Sequence, residues 1–271
     1  MRINESHEYE INKIDCHTHT CFSFDCTGRD NTPQTVCAAA KDKGLDAIVL
    51  TDHIELNSEA EGLYAPFEAE KRQFECYKAK DDFKNLVDVY VGCELGQATQ
   101  YPALAEEYIN KYKFEYIIGS IHNIRNHPDF YFIDFSGYKK EDCLALWKLY
   151  LDEYYEMTKF GYIDDFAHLT YPLRYFAKYG FKIDLTEWED DICLILESII
   201  KSDAALEVNT AGLRKGLGET HPNEYVIRLY KALGGRKLRL GSDAHKNEHV
   251  GADIDRGYEM IKNIYGKEEL L

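Results

Sequence analysis

Asp15-Cys16-His17-Thr18-His19 closes a short apolar run, residues 11–15, that reads as a β-strand. Two histidines one residue apart point to the same side of an extended backbone, because strand side chains alternate with a period of two. Two neutral imidazoles on one side, with an aspartate just upstream, make half of a first-row metal site. A pair of surface histidines on an edge strand would look the same over five residues. What separates the two readings is whether the pattern recurs.

Working outward, short β-branched or apolar runs alternate with longer amphipathic segments. Strands are expected at 11–15, 47–51, 87–93, 116–121, 163–167, 205–208 and Leu238–Gly241. Helices are expected at 33–44, 68–83, 102–112, 141–160, 187–202, 222–233 and 254–265. Pro33 suits the first turn of the first helix, where a missing N–H costs nothing. In the helix over 141–160, Leu144, Trp147, Leu151, Tyr154 and Tyr155 follow the helical period and read as core packing. Residues 56–67 and 123–137 read as irregular loops. Strict alternation of strand and helix implies a parallel sheet with crossover helices. Seven such units come close to a complete β/α barrel. The expected fold is therefore α/β: a single domain over 1–271, a distorted seven-stranded (β/α)7 barrel, closed or nearly so.

Each strand then delivers a characteristic residue at its carboxyl end. His17 and His19 follow the first, His53 the second, Glu94 the third and His122 the fourth. His168 follows the fifth, Asn209 ends the sixth, and Asp243 and His245 follow the seventh. Six of the ten histidines belong to this set. The carboxyl-end rim is where β/α barrels carry their sites. His, Glu and Asp suit zinc, manganese or iron(II), and the set is too large for one tetrahedral ion. It calls for two or three divalent metal ions.

These motifs resemble the polymerase-and-histidinol-phosphatase (PHP) superfamily, and within it the histidinol-phosphatase branch. The matching segments are D-x-H-x-H-T at 15–20, T-D-H ending at His53, and G-x-E ending at Glu94. S-x-H ending at His122, the strand end at His168, and S-D-A-H at 242–245 complete the series. The resemblance implies a trinuclear metal centre at the carboxyl ends of the strands. His17, His19, Glu94 and Asp243 would hold the first ion, and Glu94 would bridge to a second held by His122 and His168. His53 and His245 would hold the third. Many relatives add a histidine six residues after the second histidine of the first motif. Here Asp25 stands in that position and is expected to ligate the third ion.

The resemblance further implies a phosphoric monoester hydrolase, a histidinol-phosphatase of histidine biosynthesis, converting L-histidinol phosphate to L-histidinol and phosphate. Divalent ions make hydroxide available at neutral pH for attack on phosphorus. His17, Glu94 and Asp243 are the expected catalytic residues, with Asp243 a candidate proton acceptor. Arg174, Arg214 and Lys215, just past the fifth and sixth strands, are the expected phosphate donors, because cationic side chains pair well with phosphate oxygens. Tyr64, Phe67, Tyr131 and Phe132 are candidates to stack an imidazole, and Glu55 to meet an amine. His7, His127, His221 and His249 fall outside the ligand pattern. The competing expectation is a phosphoesterase on the same scaffold acting on a nucleotide, a sugar phosphate or phosphotyrosine. A metal-stabilised structural module is a third.

Composition narrows the partners. The formal net charge of −16 offers no basic footprint for nucleic acid or an anionic membrane. A small phosphorylated metabolite remains compatible, since bound cations can supply local positive charge. The eight scattered cysteines lack a C-x-x-C pair and read as reduced thiols. No apolar leader or membrane-length run is present, so a soluble cytoplasmic protein, monomer or homodimer, is expected.

Overall fold

The computed structural model describes residues 13–26, 30–62 and 68–266. β1 (Ile14–Thr18) leads to α1 (Pro33–Asp42), β2 (Ala47–Leu50) and β3 (His53–Glu55). Next come α2 (Leu56–Glu61), α3 (Ala69–Phe83), β4 (Asp88–Gly96), α4 (Pro102–Tyr112) and β5 (Tyr116–Ser120). They are followed by α5 (Lys140–Met157), β6 (Asp165–Phe166), α6 (Leu173–Lys178), α7 (Glu189–Ser202) and β7 (Ala205–Asn209). The last elements are α8 (Ala211–Arg214), α9 (Glu224–Ala232), β8 (Leu238–Gly241) and α10 (Ile254–Tyr265).

Every strand pair is parallel, in the order β1-β2-β4-β5-β6-β7-β8. β3 pairs with the upper half of β4, His53 opposite Glu94, while β2 pairs with its lower half, Ala47 opposite Asp88. β2 and β3 thus act as one strand interrupted at Thr51 and Asp52, and the sheet has the expected seven positions. It closes nearly into a barrel where the His19 N–H donates to Ala244 O (2.9 Å) and the Asp243 N–H to His17 O (2.8 Å).

Helices cover the outside because each has one apolar face. α9 buries Val226, Ile227 and Tyr230, and α10 buries Ile254, Ile261 and Ile264. α5 buries Trp147, Tyr150 and Tyr154, so its aromatic stripe is core packing. The Tyr154 hydroxyl also donates to Ala167 O (2.8 Å), which fixes the chain beside His168.

The boundaries differ from expectation in three instructive places. β1 runs through Thr18, so His17 lies within the strand; residues 11 and 12 are outside the described set. β4 continues to Gly96 and carries Glu94 inside the ladder. α2, α6 and α8 have six, six and four residues, too few for a helical period to register in sequence. All eight cysteines are free thiols. Among the described residues, no helix is long and apolar enough to cross a membrane.

Candidate metal centre

Glu94 stands at the middle of the rim with both oxygens surrounded by imidazoles. On one side its Oε1 lies 2.9 Å from His168 Nε2 and 3.1 Å from His122 Nε2. On the other, Oε2 lies 3.0 Å from His53 Nδ1, 3.2 Å from His17 Nε2 and 3.4 Å from His19 Nε2. Glu94 is 1% exposed, so water does not satisfy these contacts. One carboxylate therefore joins two groups of histidines that come from strands far apart in sequence.

The opposite ring nitrogens show what the inward-facing ones carry. His17 Nδ1 is 2.7 Å from Glu207 Oε1, and His122 Nδ1 is 2.8 Å from Glu55 Oε1. A carboxylate only accepts, so each of these Nδ1 atoms is the donor. His19 Nδ1 donates to Ser23 Oγ (2.9 Å), whose own proton goes to Asp52 Oδ1 (2.9 Å). In the neutral rings, His17, His19 and His122 thus turn Nε2 lone pairs toward an anionic oxygen. His17 Nε2 and His19 Nε2 are 3.0 Å apart. Acceptors facing acceptors repel unless positive charge lies among them. This donor set fits first-row divalent ions, whose histidine ligands are held by a hydrogen bond at the other ring nitrogen.

A third lobe forms around His53, His245, Asp25 and Asp243. His245 Nδ1 donates to Asp243 O (3.0 Å) and directs Nε2 at Asp25 Oδ2 (2.8 Å). Asp25 Oδ1 is 3.6 Å from His53 Nε2, and Asp243 Oδ1 is 3.6 Å from His19 Nε2. The His19 ring stacks on both His53 and His245, with centroids 4.3 and 4.1 Å away. The lobes interleave more than three separate ligand sets would, because His53 also borders Glu94. Two of these residues, His168 (φ 30°) and Asp243 (φ 50°), sit in left-handed backbone that disfavours a side chain. Asp243 is held there by its main-chain bond to His17.

The remaining motif aspartates are anchors that face away from the cage. Asp15 accepts from the N–H groups of Ser242 (2.8 Å) and Gly251 (2.7 Å) and so ties the Asp243 loop to β1. Asp52 accepts from the Thr20 N–H (2.6 Å), the Ser23 hydroxyl and buried Arg72 Nε (3.0 Å), which holds the loop leading to Asp25.

The electrostatics follow from this packing of imidazoles against carboxylates. Burial works against charge on His122, but Glu55 and Glu94 outweigh it and hold the imidazole at about 10. His17 and His53 rise well above the usual range for the same balance of reasons, burial being overcome by Glu207 and Glu94 or by Glu94 and Asp25. His19 goes down because burial and the neighbouring imidazoles of His245, His53 and His17 act together, and His168 because burial outweighs its contact with Glu94. Glu94 and Asp243 are held well below the carboxylate range: burial alone would raise them, and surrounding His and Lys reverse it.

Two glycines make room for the backing carboxylates. A Cβ on Gly241 would lie 2.3 Å from Glu207 Oε1, and one on Gly96 would lie 2.4 Å from Glu55 Oε2. Glu207 was absent from the sequence-based site. Its signal was a lone charge inside the apolar strand Ala205–Asn209. Glu55, expected to meet a substrate amine, is instead buried behind His122 and 3.1 Å from His53 Nδ1.

The cage opens into a cavity of about 630 Å³. Its wall includes Asp129, Tyr131, Tyr171, Arg174, Tyr175 and Lys215. Lys215 Nζ donates to Asp243 Oδ2 (3.1 Å). Arg174 lies over the rings of Tyr171 and Tyr175, 4.4 and 4.7 Å from their centroids. Arg214 does not line the cavity; its Nη2 donates to the main chain of Ser242 and Asp243, while Nε and Nη1 are buried without hydrogen-bond partners among the described residues. Tyr131 lines the cavity and Phe132 packs edge-on against it. Tyr64, Phe67 and His7 lie outside the described residues. His221 is buried, 3.0 Å from Thr170 Oγ1 through Nδ1, and His249 lines the cavity.

Comparison with known proteins bears on this arrangement. Residues 15–211 match the PHP domain family. A probable histidinol-phosphatase of Clostridium acetobutylicum is 30% identical, over 92% of this chain and 93% of its own. One from Thermotoga maritima is 29% identical, over 93% and 92%. The crystal structure of histidinol phosphate phosphatase from Lactococcus lactis subsp. lactis, complexed with zinc, L-histidinol and phosphate, superposes with a TM-score of 0.76. That likeness covers 94% of each chain at 22% identity and is one of fold.

Proposed function

The chain belongs to the PHP domain family, and from that premise we propose that it is a metal-dependent phosphatase hydrolysing L-histidinol phosphate to L-histidinol and phosphate. The observation that carries the proposal is the Glu94-centred cage of inward-facing imidazoles at the floor of a cavity walled by Arg174 and Lys215. Relatives matched over nine-tenths of their length bear the same activity in their names.

In this reading, His17, His19, Asp25, His53, Glu94, His122, His168, Asp243 and His245 would hold two or three zinc, manganese or iron(II) ions within one domain. Such ions lower the pKa of water toward ~7 and draw charge from phosphoryl oxygens. The protein's part is to keep the donors aimed. Glu207, Ser23 and Glu55 fix the ring orientations of His17, His19 and His122, and Glu94 joins the two sides. Arg174 and Lys215 meet the phosphate from the cavity wall. Arg214 holds the Asp243 loop through its bonds to the main chain of Ser242 and Asp243. Asp243 stays ionised, which suits ligation and the orientation of Lys215, and makes it a weak proton acceptor.

The test is phosphate release by protein stripped with chelator and reloaded with zinc or manganese. Histidinol phosphate should exceed nucleotide monophosphates, sugar phosphates and phosphotyrosine in kcat/KM by about 100-fold or more. Equal rates across that panel would contradict the substrate assignment, and no turnover on any member would contradict the phosphatase itself.

A further inference from the structure

Of the described carboxylates that line the cavity, Asp25, Glu94 and Asp243 belong to the cage, whereas Asp129 stands apart from it. It precedes the single turn Phe130–Phe132, and its Oδ1 accepts from the Tyr131 N–H (2.8 Å) and the Tyr171 hydroxyl (3.2 Å). Capping that turn occupies one oxygen, and a neutral asparagine or serine would serve as well. The second oxygen, Oδ2, has no hydrogen bond among the described residues, and Asp129 forms no ion pair there. The residue is only 9% exposed and lines the cavity. Asp129 is thus a buried carboxylate at the cavity wall with one oxygen that the turn does not use, the setting in which a carboxylate is stabilised by a cationic partner.

A chain of hydrogen bonds sets where that cation would sit. Arg174 Nη2 donates to the Tyr175 hydroxyl (2.5 Å), which donates to the Tyr171 hydroxyl (2.9 Å), which donates to Asp129 Oδ1. Arg174 also stacks on both phenol rings. The guanidinium and the carboxylate are therefore held at a fixed separation by two tyrosines. A small phosphoester with its phosphate toward Arg174, and a positive group a few bonds along the leaving alcohol, spans them.

We infer that Asp129 is the specificity-determining residue of this cavity, receiving the cationic group of the leaving alcohol, an ammonium or imidazolium, while Arg174 and the cage receive the phosphate. This rests on the phosphatase reading and adds how the enzyme prefers cationic esters over neutral ones. No bond is made or broken at Asp129; it acts on binding.

The experiment compares kcat/KM for histidinol phosphate with kcat/KM for p-nitrophenyl phosphate, whose leaving group is uncharged, in metal-loaded wild type, Asp129→Asn and Asp129→Glu. The ratio should fall about 10- to 100-fold in Asp129→Asn, chiefly through KM for the cationic ester, and recover in part in Asp129→Glu. Histidinol, the product cation, should inhibit the asparagine variant correspondingly less. A ratio within twofold of wild type, or an equal fall for both substrates, overturns the inference. If Asp129→Asn does not fold, Tyr171→Phe, which releases the tie to Oδ1, should lower the same ratio several-fold, and an unchanged ratio there overturns it equally. Failure of the phosphatase reading would show separately, as a wild type that hydrolyses neither ester or prefers neither.

Discussion

The cage and the cavity wall meet at His122 and Tyr171, whose rings lie 5.0 Å apart, yet they are held by different means. In the cage, the key rings each have a dedicated buried partner on another strand or loop: Glu207 behind His17, Glu55 behind His122, Ser23 behind His19. In the wall, Tyr171, Arg174 and Tyr175 come from one short stretch and lean on one another. The cage rings are thus fixed from several parts of the chain, whereas the wall residues depend on one another. Losing a residue should cost metal and catalysis in the first region, and substrate preference in the second.

The severest break in that contrast is Glu94→Gln. An amide lacks the negative charge that Glu94 presents to the surrounding imidazoles, so kcat/KM should fall on the order of 10⁴-fold or more, with loss of bound metal. Next is Glu207→Gln, which leaves every inward-facing donor in place and removes only the anionic partner of His17 Nδ1. Metal affinity or activity should drop about 10- to 100-fold, in a protein whose circular dichroism spectrum matches wild type.

Chelation should expose the cage's own electrostatics. In the ion-free protein His122 is held at about 10, above an unfolded value of about 6.5. Its contribution to stability is therefore full below the unfolded value and is lost as pH rises through the folded one. Metal, by contrast, competes with protons and binds better as pH rises. The gap in Tm between loaded and chelated protein should widen from pH 6.5 to pH 9; a constant gap would mean that proton and metal do not share the site. The mildest change is Tyr175→Phe, which removes one hydrogen bond to Arg174 and should raise KM a few-fold without altering metal content.

How much of this was legible in the chain follows the same division. The seven-position sheet could be read because apolar runs and amphipathic helices alternate strictly, and the residues that meet around Glu94 because they fall at strand ends. Thr51 and Asp52 interrupt the second strand without disguising it, since β3 rejoins the ladder at His53. The backing residues were harder to see. Glu207 and Glu55 are single carboxylates whose partners lie 190 and 67 residues away, so nothing local marks them. The wall was least visible: α6 has six residues, and Tyr171, two residues before it, reaches Asp129 across 42 positions of chain. Loops following strands β5 and β6 bring these groups together only in three dimensions.

Metal content of protein purified without chelator, measured by inductively coupled plasma mass spectrometry beside Glu94→Gln, tests the cage most directly. The account predicts roughly two to three divalent ions per chain in the wild type and a clear loss in the variant. A wild type that holds less than one ion after reloading, or a variant that holds as many as the wild type, would contradict it.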